Sequence, residues 1–176
     1  MLHINDLTYR IGGRILFDQA TVVIPAGRKV GLVGKNGTGK STLFKLILEE
    51  VHPDTGTLTV QKRAKVGRVA QEAPTGSESL LDTVLKADLE RDALLKESET
   101  CVDPHRIGEI HERLVDIDAH TAPARAATIL GGLGFDQEAQ LRPCSDFSGG
   151  WQMRVALAAA LFANPDLLLL DEPTNH

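Results

Sequence analysis

Cysteine is scarce in this chain. Two residues of 176, Cys101 and Cys144, lie far apart with no CxxC or Cys/His spacing around either. That excludes a disulfide-stapled scaffold and leaves no metal-ligand pattern, so two free thiols in a reducing cytoplasm are expected. Long apolar runs are also missing. The longest candidates, Ala156–Ala163 and Leu167–Leu170, are core-sized, well short of the roughly 20 residues that span a bilayer. No membrane insertion is expected. The opening residues Met1-Leu2-His3-Ile4-Asn5-Asp6 offer no basic segment followed by an apolar stretch, so no signal peptide is expected either. Internal repeats and low-complexity tracts are absent. The histidines His3, His52, His105 and His111 show no ligand spacing; His105 and His111 do not share a helical face.

What is present suits a soluble globular fold. The hydrophobic fraction is 42% and the charged fraction 24%, ordinary for one domain, or one domain and a piece of another. The net charge of −5 hides an asymmetry. Met1–Gln71 carries eleven Lys/Arg against five Asp/Glu, whereas Glu72–Ala122 carries five against thirteen. The basic third suits a polyanionic ligand such as a triphosphate. The acidic middle reads as a solvated helical face. Charge alone gives no strong nucleic-acid footprint.

Three zones follow one another. Up to about Gln71 the pattern predicts strands at Val22–Ile24, Val30–Val33 and Thr57–Val60, punctuated by turns at Gly12-Gly13, Pro25-Ala26-Gly27 and Pro53–Gly56. From Ser77 to about Cys144 it predicts helices. Leu80, Leu81, Val84 and Leu85 make one apolar stripe, and Ile107, Ile110, Leu114 and Ile117 another. Asp103-Pro104 reads as an N-cap followed by proline at the first helical position. A further helix is expected from Ala124 to Leu130, stopping at Gly131-Gly132. From Asp146 onward an Ala-rich helix over Trp151–Ala163 precedes Leu167–Leu170, which reads as a strand buried on both faces of a parallel sheet.

Gly34-Lys35-Asn36-Gly37-Thr38-Gly39-Lys40-Ser41 fits the G-x-x-x-x-G-K-[ST] phosphate-binding pattern, with an apolar strand expected before it and a helix after it. Glycines let successive backbone N–H groups turn inward toward phosphate oxygens, and the helix start adds its positive end. Lys40 can bridge the β- and γ-phosphates, and the Ser41 hydroxyl can ligate magnesium. Asp171 and Glu172 end the apolar run; the first can hold a magnesium hydration shell and the second can polarise an attacking water. Many strands end in acids, so that pair gains its meaning from the phosphate loop. Ser148-Gly149-Gly150 opens the Ala-rich helix with a bare N-terminus an anion can approach, or is a simple loop capped by Ser148.

The ordered set of phosphate loop, Gln71, Phe147-Ser148-Gly149-Gly150-Trp151 and Asp171-Glu172-Pro173-Thr174 resembles a nucleotide-binding cassette of the ABC superfamily over essentially the whole chain. Trp151 and Asn175-His176 depart from transporter cassettes and resemble the ABC-F family, soluble tandem-cassette ATPases that act on the ribosome, in its YheS-type branch. The resemblance implies an α/β P-loop NTPase fold: an antiparallel β subdomain, a partial parallel core sheet and a helical signature subdomain. It implies a β-rich lobe with the P-loop over 1–75, a helical subdomain over 76–146, and the signature helix and Walker B strand over 147–176. Gly34 to Ser41, with Thr42, would hold ATP. Ser41, Gln71 and Asp171 would face Mg2+, and Glu172 would be the catalytic base. Ser148, Gly149 and Gly150 would contact the γ-phosphate on an opposite cassette, supplied by the same full-length chain or by a second copy. Taken alone, Gln71 reads as an exposed loop glutamine. Cassettes often stack an aromatic on adenine from the position that is Ile11 here; Tyr9 lies two residues earlier, and either covers the base or is an ordinary strand residue.

The same resemblance frames the expected function, ATP hydrolysis coupled to a ribosomal state, with ribosome or tRNA as partner. A transporter's ATP-binding subunit and a module that binds nucleotide without turnover are the alternatives. About Leu85 to Ala119 falls where the family inserts a helical arm, and reads equally as a short hairpin or an ordinary helical subdomain. Because the chain stops after Glu-Pro-Thr-Asn-His, it is expected to be the first part of a first cassette, able to bind nucleotide and slow to hydrolyse it.

Overall fold

The computed structural model describes residues 1–69 and 74–171. The chain divides into two compact units, Met1–Val66 and Gly67–His176.

In the first unit, β1 (Leu2–Ile11) and β2 (Arg14–Ile24) form an antiparallel hairpin, and β3 (Thr55–Val60) pairs antiparallel along the other side of β1. The strand order is β2-β1-β3. Leu2 is therefore paired on both sides, with Ile24 and with Val60. The ladder slips around Asp6, which takes φ 47. Gly56 passes so close to this bulge that a Cβ there would lie 2.3 Å from the Asp6 carbonyl oxygen, so only glycine fits. Leu2, Ile4 and Leu7 are buried, as are Leu46 and Ile47 of α1 (Lys40–Ile47), which lies beside β3.

One expected strand does not form. Val30–Val33 has no strand pairing among the described residues, and Val33 is 95% exposed. A strand is defined by its ladder as much as by its side chains. Four apolar residues without a neighbouring strand to receive their N–H and C=O groups stay irregular, whatever their β-propensity.

The second unit is mainly helical. Its helices are α2 (Leu80–Leu85), α3 (Leu89–Thr100), α4 (Pro104–Asp116), α5 (Ala122–Gly132), α6 (Gln137–Gln140) and α7 (Gly149–Phe162). The starts of four are set by side chains that accept a backbone N–H: Ser79 from Asp82, Asp88 from Arg91, Asp103 from His105 and Asp136 from Ala139. Pro104 occupies the first turn of α4, where its missing N–H costs nothing. Leu80 and Val84 of α2, Ala122, Ala126 and Leu130 of α5, and Val155, Ala158 and Phe162 of α7 meet in one core with Phe135 and Cys144. α7 is thus part of the helical core. Helices α3 and α4 form a hairpin; Ile110 is fully buried and Ile107, Leu114 and Ile117 are partly so, as the seam predicts. Both cysteines are free, and the four histidines read as unligated are exposed.

The strand expected at Leu167–Leu170 is shorter and less enclosed than its composition suggests. β5 spans Leu167–Leu169, is paired with β4 (Val66–Arg68), and buries only Leu169. With one neighbouring strand among the described residues, an all-leucine segment is covered only in part. No described helix is long and apolar enough to cross a membrane.

Candidate nucleotide site

The phosphate loop is a backbone cradle. Gly37 and Gly39 take φ 78 and 101, in the region that side-chain-bearing residues rarely occupy. Gly39 ends the loop as the N-cap of α1 in left-handed conformation; no side chain caps the helix, and no acidic residue lies in its first turn. The first N–H groups of α1 are therefore left for an anion. Gly34 is required for a different reason. A Cβ there would sit 2.7 Å from Thr38 Oγ1, and that hydroxyl donates to the Lys35 carbonyl at 2.8 Å. The Thr38 N–H also reaches Lys35 O, at 3.3 Å, so the loop closes on itself twice.

Lys40 folds back over this loop. Its ammonium donates to the carbonyls of Gly34 at 2.9 Å and Lys35 at 3.2 Å. Ser41 is exposed at the helix start, and Thr42 is partly covered. Lys35, Asn36 and Thr38 are exposed, so the cradle opens to solvent. The structure brings together every phosphate-loop residue from Gly34 to Thr42.

Tyr9 and Ile11 both lie on β1, opposite Phe17 and Arg14 of β2. Ile11 is half exposed and Tyr9 partly covered. Sequence reasoning missed Phe17 and Leu16, which come against Gly39: a Cβ there would lie 3.2 Å from the Phe17 ring and 3.6 Å from Leu16. No motif marks these two residues; their role comes from β2 passing under the loop.

In the second unit, Ser148 is the N-cap of α7 by backbone geometry, yet its hydroxyl makes no capping hydrogen bond. Ser148 thus begins the helix by backbone geometry, without the side-chain hydrogen bond of an ordinary serine cap. Ser148 and Gly149 are exposed, the space around Gly149 is open, and no acidic residue lies in the first turn. This helix start is anchored from both sides. Phe147 and Trp151 both pack edge-on against Phe135, with ring centroids 5.7 and 5.1 Å away. Arg142 lies over Phe147 and Arg154 over Trp151, and Gln152 ties the first turn to the Cys144 carbonyl at 3.0 Å. Phe135 was not legible as part of this arrangement, because it belongs to the turn after α5.

Asp171 follows β5 and is half-buried. Gln71 and Glu172, with Pro173 to His176, lie outside the described residues. Among the described residues no cluster of His, Cys, Asp and Glu is built to hold a metal unaided.

Comparison with known proteins agrees with this geometry. The family model described as "ABC transporter" matches residues 17–175. "Probable ATP-binding protein YheS" of Escherichia coli (strain K12) is 47% identical over 179 residues, covering 100% of this chain and 28% of that protein. "ATP-binding cassette sub-family F member 3" of Homo sapiens is 40% identical over 185 residues, covering 99% of this chain and 25% of that protein. The chain thus spans about a quarter of the length of these curated relatives. Among solved structures, the ATP-binding cassette MJ0796, described as a dimer bound to ADP and Pi, superposes with TM-score 0.66 at 23% identity over 99% of this chain and 75% of that one. The cassette MJ1267 superposes with TM-score 0.70 at 20% identity over 99% of this chain and 70% of that one. These likenesses establish the fold as an α/β P-loop NTPase. The chain belongs to the ABC transporter family as an ATP-binding cassette, and the two relatives above, matched over essentially its whole length, are ABC-F members.

Proposed function

We propose that this chain is an ATP-hydrolysing cassette of ABC-F type, acting in the cytoplasm in a switch coupled to the ribosome or its tRNA. The observation that carries the nucleotide part is the phosphate loop. Two left-handed glycines, an uncapped helix start and a lysine held over the cradle suit the phosphates of a nucleotide. Gly34 to Thr42 would hold the phosphates. By the family resemblance, Ser41, Gln71 and Asp171 would supply hard oxygen donors of the kind magnesium prefers; when bound, the ion would neutralise phosphate charge. Glu172 would orient and polarise the attacking water. Tyr9 or Ile11 would cover the base, and Phe17 would hold the loop from beneath.

The exposed hydroxyl of Ser148 and the bare start of α7 suit a phosphate brought by another cassette, in the same longer protein or a second copy. The MJ0796 cassette, described as a dimer with ADP and Pi, supports that pairing. A lone cassette would then bind nucleotide and turn it over slowly. The ABC-F setting is supported by the sub-family F relative and by Trp151 after the signature glycines. Titration with a fluorescent ATP analogue tests the core of the reading. Lys40→Ala should weaken binding by about tenfold to a hundredfold, the worth of losing a charged hydrogen-bond donor, with unchanged circular dichroism. Equal affinity would overturn it.

A further inference from the structure

β1 and β2 are joined by a two-residue turn. Gly12 and Gly13 take φ 56 and 81, the two left-handed positions that the tightest hairpin turn demands. Such a turn has no slack, so Ile11 and Arg14, which flank it, are held directly opposite one another. Opposed residues share one face of a sheet, with Cβ atoms about 5 Å apart.

The register shows which face this is. Phe17 reaches the phosphate loop, its ring 3.2 Å from where a Cβ of Gly39 would lie. Tyr9 stands opposite Phe17 and so faces the loop as well. From Tyr9 to Ile11 β1 advances two residues, while β2 spends three from Phe17 to Arg14. The surplus residue is Leu16, a bulge on β2, and its side chain also comes to 3.6 Å of the Gly39 position. β1 is regular over the same stretch, so Ile11 keeps the face of Tyr9, and the turn sets Arg14 on it too.

Exposure rises along this face away from the loop. Tyr9, Leu16 and Phe17 are partly covered. The next pair lies about 7 Å further toward the turn; Ile11 is 52% exposed, and Arg14 is exposed beside it. Arg10, on the opposite face by the pleat, is engaged by Asp54 at 3.7 Å. Arg14 has no carboxylate partner and lies over no ring among the described residues. A planar cation next to an aliphatic side chain, one ribose away from the phosphate cradle, suits a flat aromatic heterocycle. A guanidinium stacks on such a face, and isoleucine covers the remainder by apolar contact.

We propose that Arg14, with Ile11 beside it, stacks on the base of the bound nucleotide. The proposal rests on the nucleotide reading above and adds to it the group that faces the base.

Isothermal titration of this chain with ATP and, separately, with inorganic tripolyphosphate, each with magnesium, tests it. Tripolyphosphate offers the phosphates without a base. Arg14→Ala should weaken ATP binding about threefold to tenfold, the worth of a cation over a ring, and leave tripolyphosphate binding and the melting midpoint unchanged. Arg14→Tyr restores a flat face without the charge and should recover ATP affinity. Arg14→Lys keeps the charge without the plane and should recover only part. Lys40→Ala should weaken both ligands. Equal loss of ATP and tripolyphosphate in Arg14→Ala would make Arg14 a phosphate contact, and unchanged ATP affinity would make it a solvated side chain; either result overturns the proposal, as does Arg14→Tyr binding ATP as weakly as Arg14→Ala. Indifference of both ligands to Lys40→Ala would instead sink the nucleotide reading itself.

Discussion

Lys40 reaches back six residues to the carbonyl of Gly34, 2.9 Å away, and so lies across the mouth of its own loop. The ammonium that would meet a triphosphate is held by the backbone that would wrap it. The cradle therefore needs little rearrangement to receive an anion: a charged donor exchanges two carbonyl acceptors for stronger phosphate ones.

Gly34 should be intolerant of even one methyl group. Alanine there drives a Cβ to 2.7 Å from Thr38 Oγ1, and the clash falls on the hydroxyl that closes the loop. Gly34→Ala is expected to reduce ATP-analogue affinity severalfold while the thermal midpoint changes little. Gly34→Ala combined with Thr38→Ala should recover part of that affinity. An additive loss in the double variant would show that the contact is not the cause.

Phe135 should anchor the start of α7. It is nearly fully buried and bears both Phe147 and Trp151. Phe135→Ala is expected to cost about 3–5 kcal/mol, read by chemical denaturation. Because Trp151 is the single tryptophan in the chain, its emission should also shift to the red as its packed edge is uncovered. A normal midpoint with unchanged emission would refute the anchoring role.

The α3–α4 hairpin should loosen in acid. The hydrogen bonds from Arg106 hold the Glu97 carboxyl below its ordinary value of 4.5. Arg106 is raised in turn by Glu97 and then by Glu109, and Arg113 is raised by Glu90. A depressed carboxylate contributes stability above its unfolded value, and that contribution is lost as pH falls through the lower folded value. Amide protection in α4 should therefore hold at neutral pH and decline below about pH 4. Glu97→Gln should lower protection at neutral pH and flatten this acid dependence. All these groups are exposed, so the effect is local opening and vanishes in high salt. Protection that falls equally in both proteins would place the acid sensitivity elsewhere.

Much of the helical unit was legible in the residues. Asp103-Pro104 announces α4, and the steps of three and four from Ile107 to Ile117 give its buried seam; the stop read at Gly131-Gly132 comes later, since α5 runs through both glycines to its C-cap Leu133 and the left-handed turn comes at Gly134. These signals are local: a cap and a period act within one or two turns. Val30–Val33 shows the limit. Its composition reads as a strand, but pairing is decided by distant chain, and no described residue supplies it. Leu167–Leu170 was overread in the same way, since burial on two faces is a property of neighbours.

The chemistry of the phosphate loop was determined by sequence alone, because glycine at Gly37 and Gly39, a lysine and a helix start act on one another over eight consecutive residues. Only the tertiary structure set Phe17 under Gly39 and Phe135 between Phe147 and Trp151. Those associations join residues far apart in the chain. They depend on strand register and helix packing, which side-chain order constrains only through the whole folded ensemble of contacts.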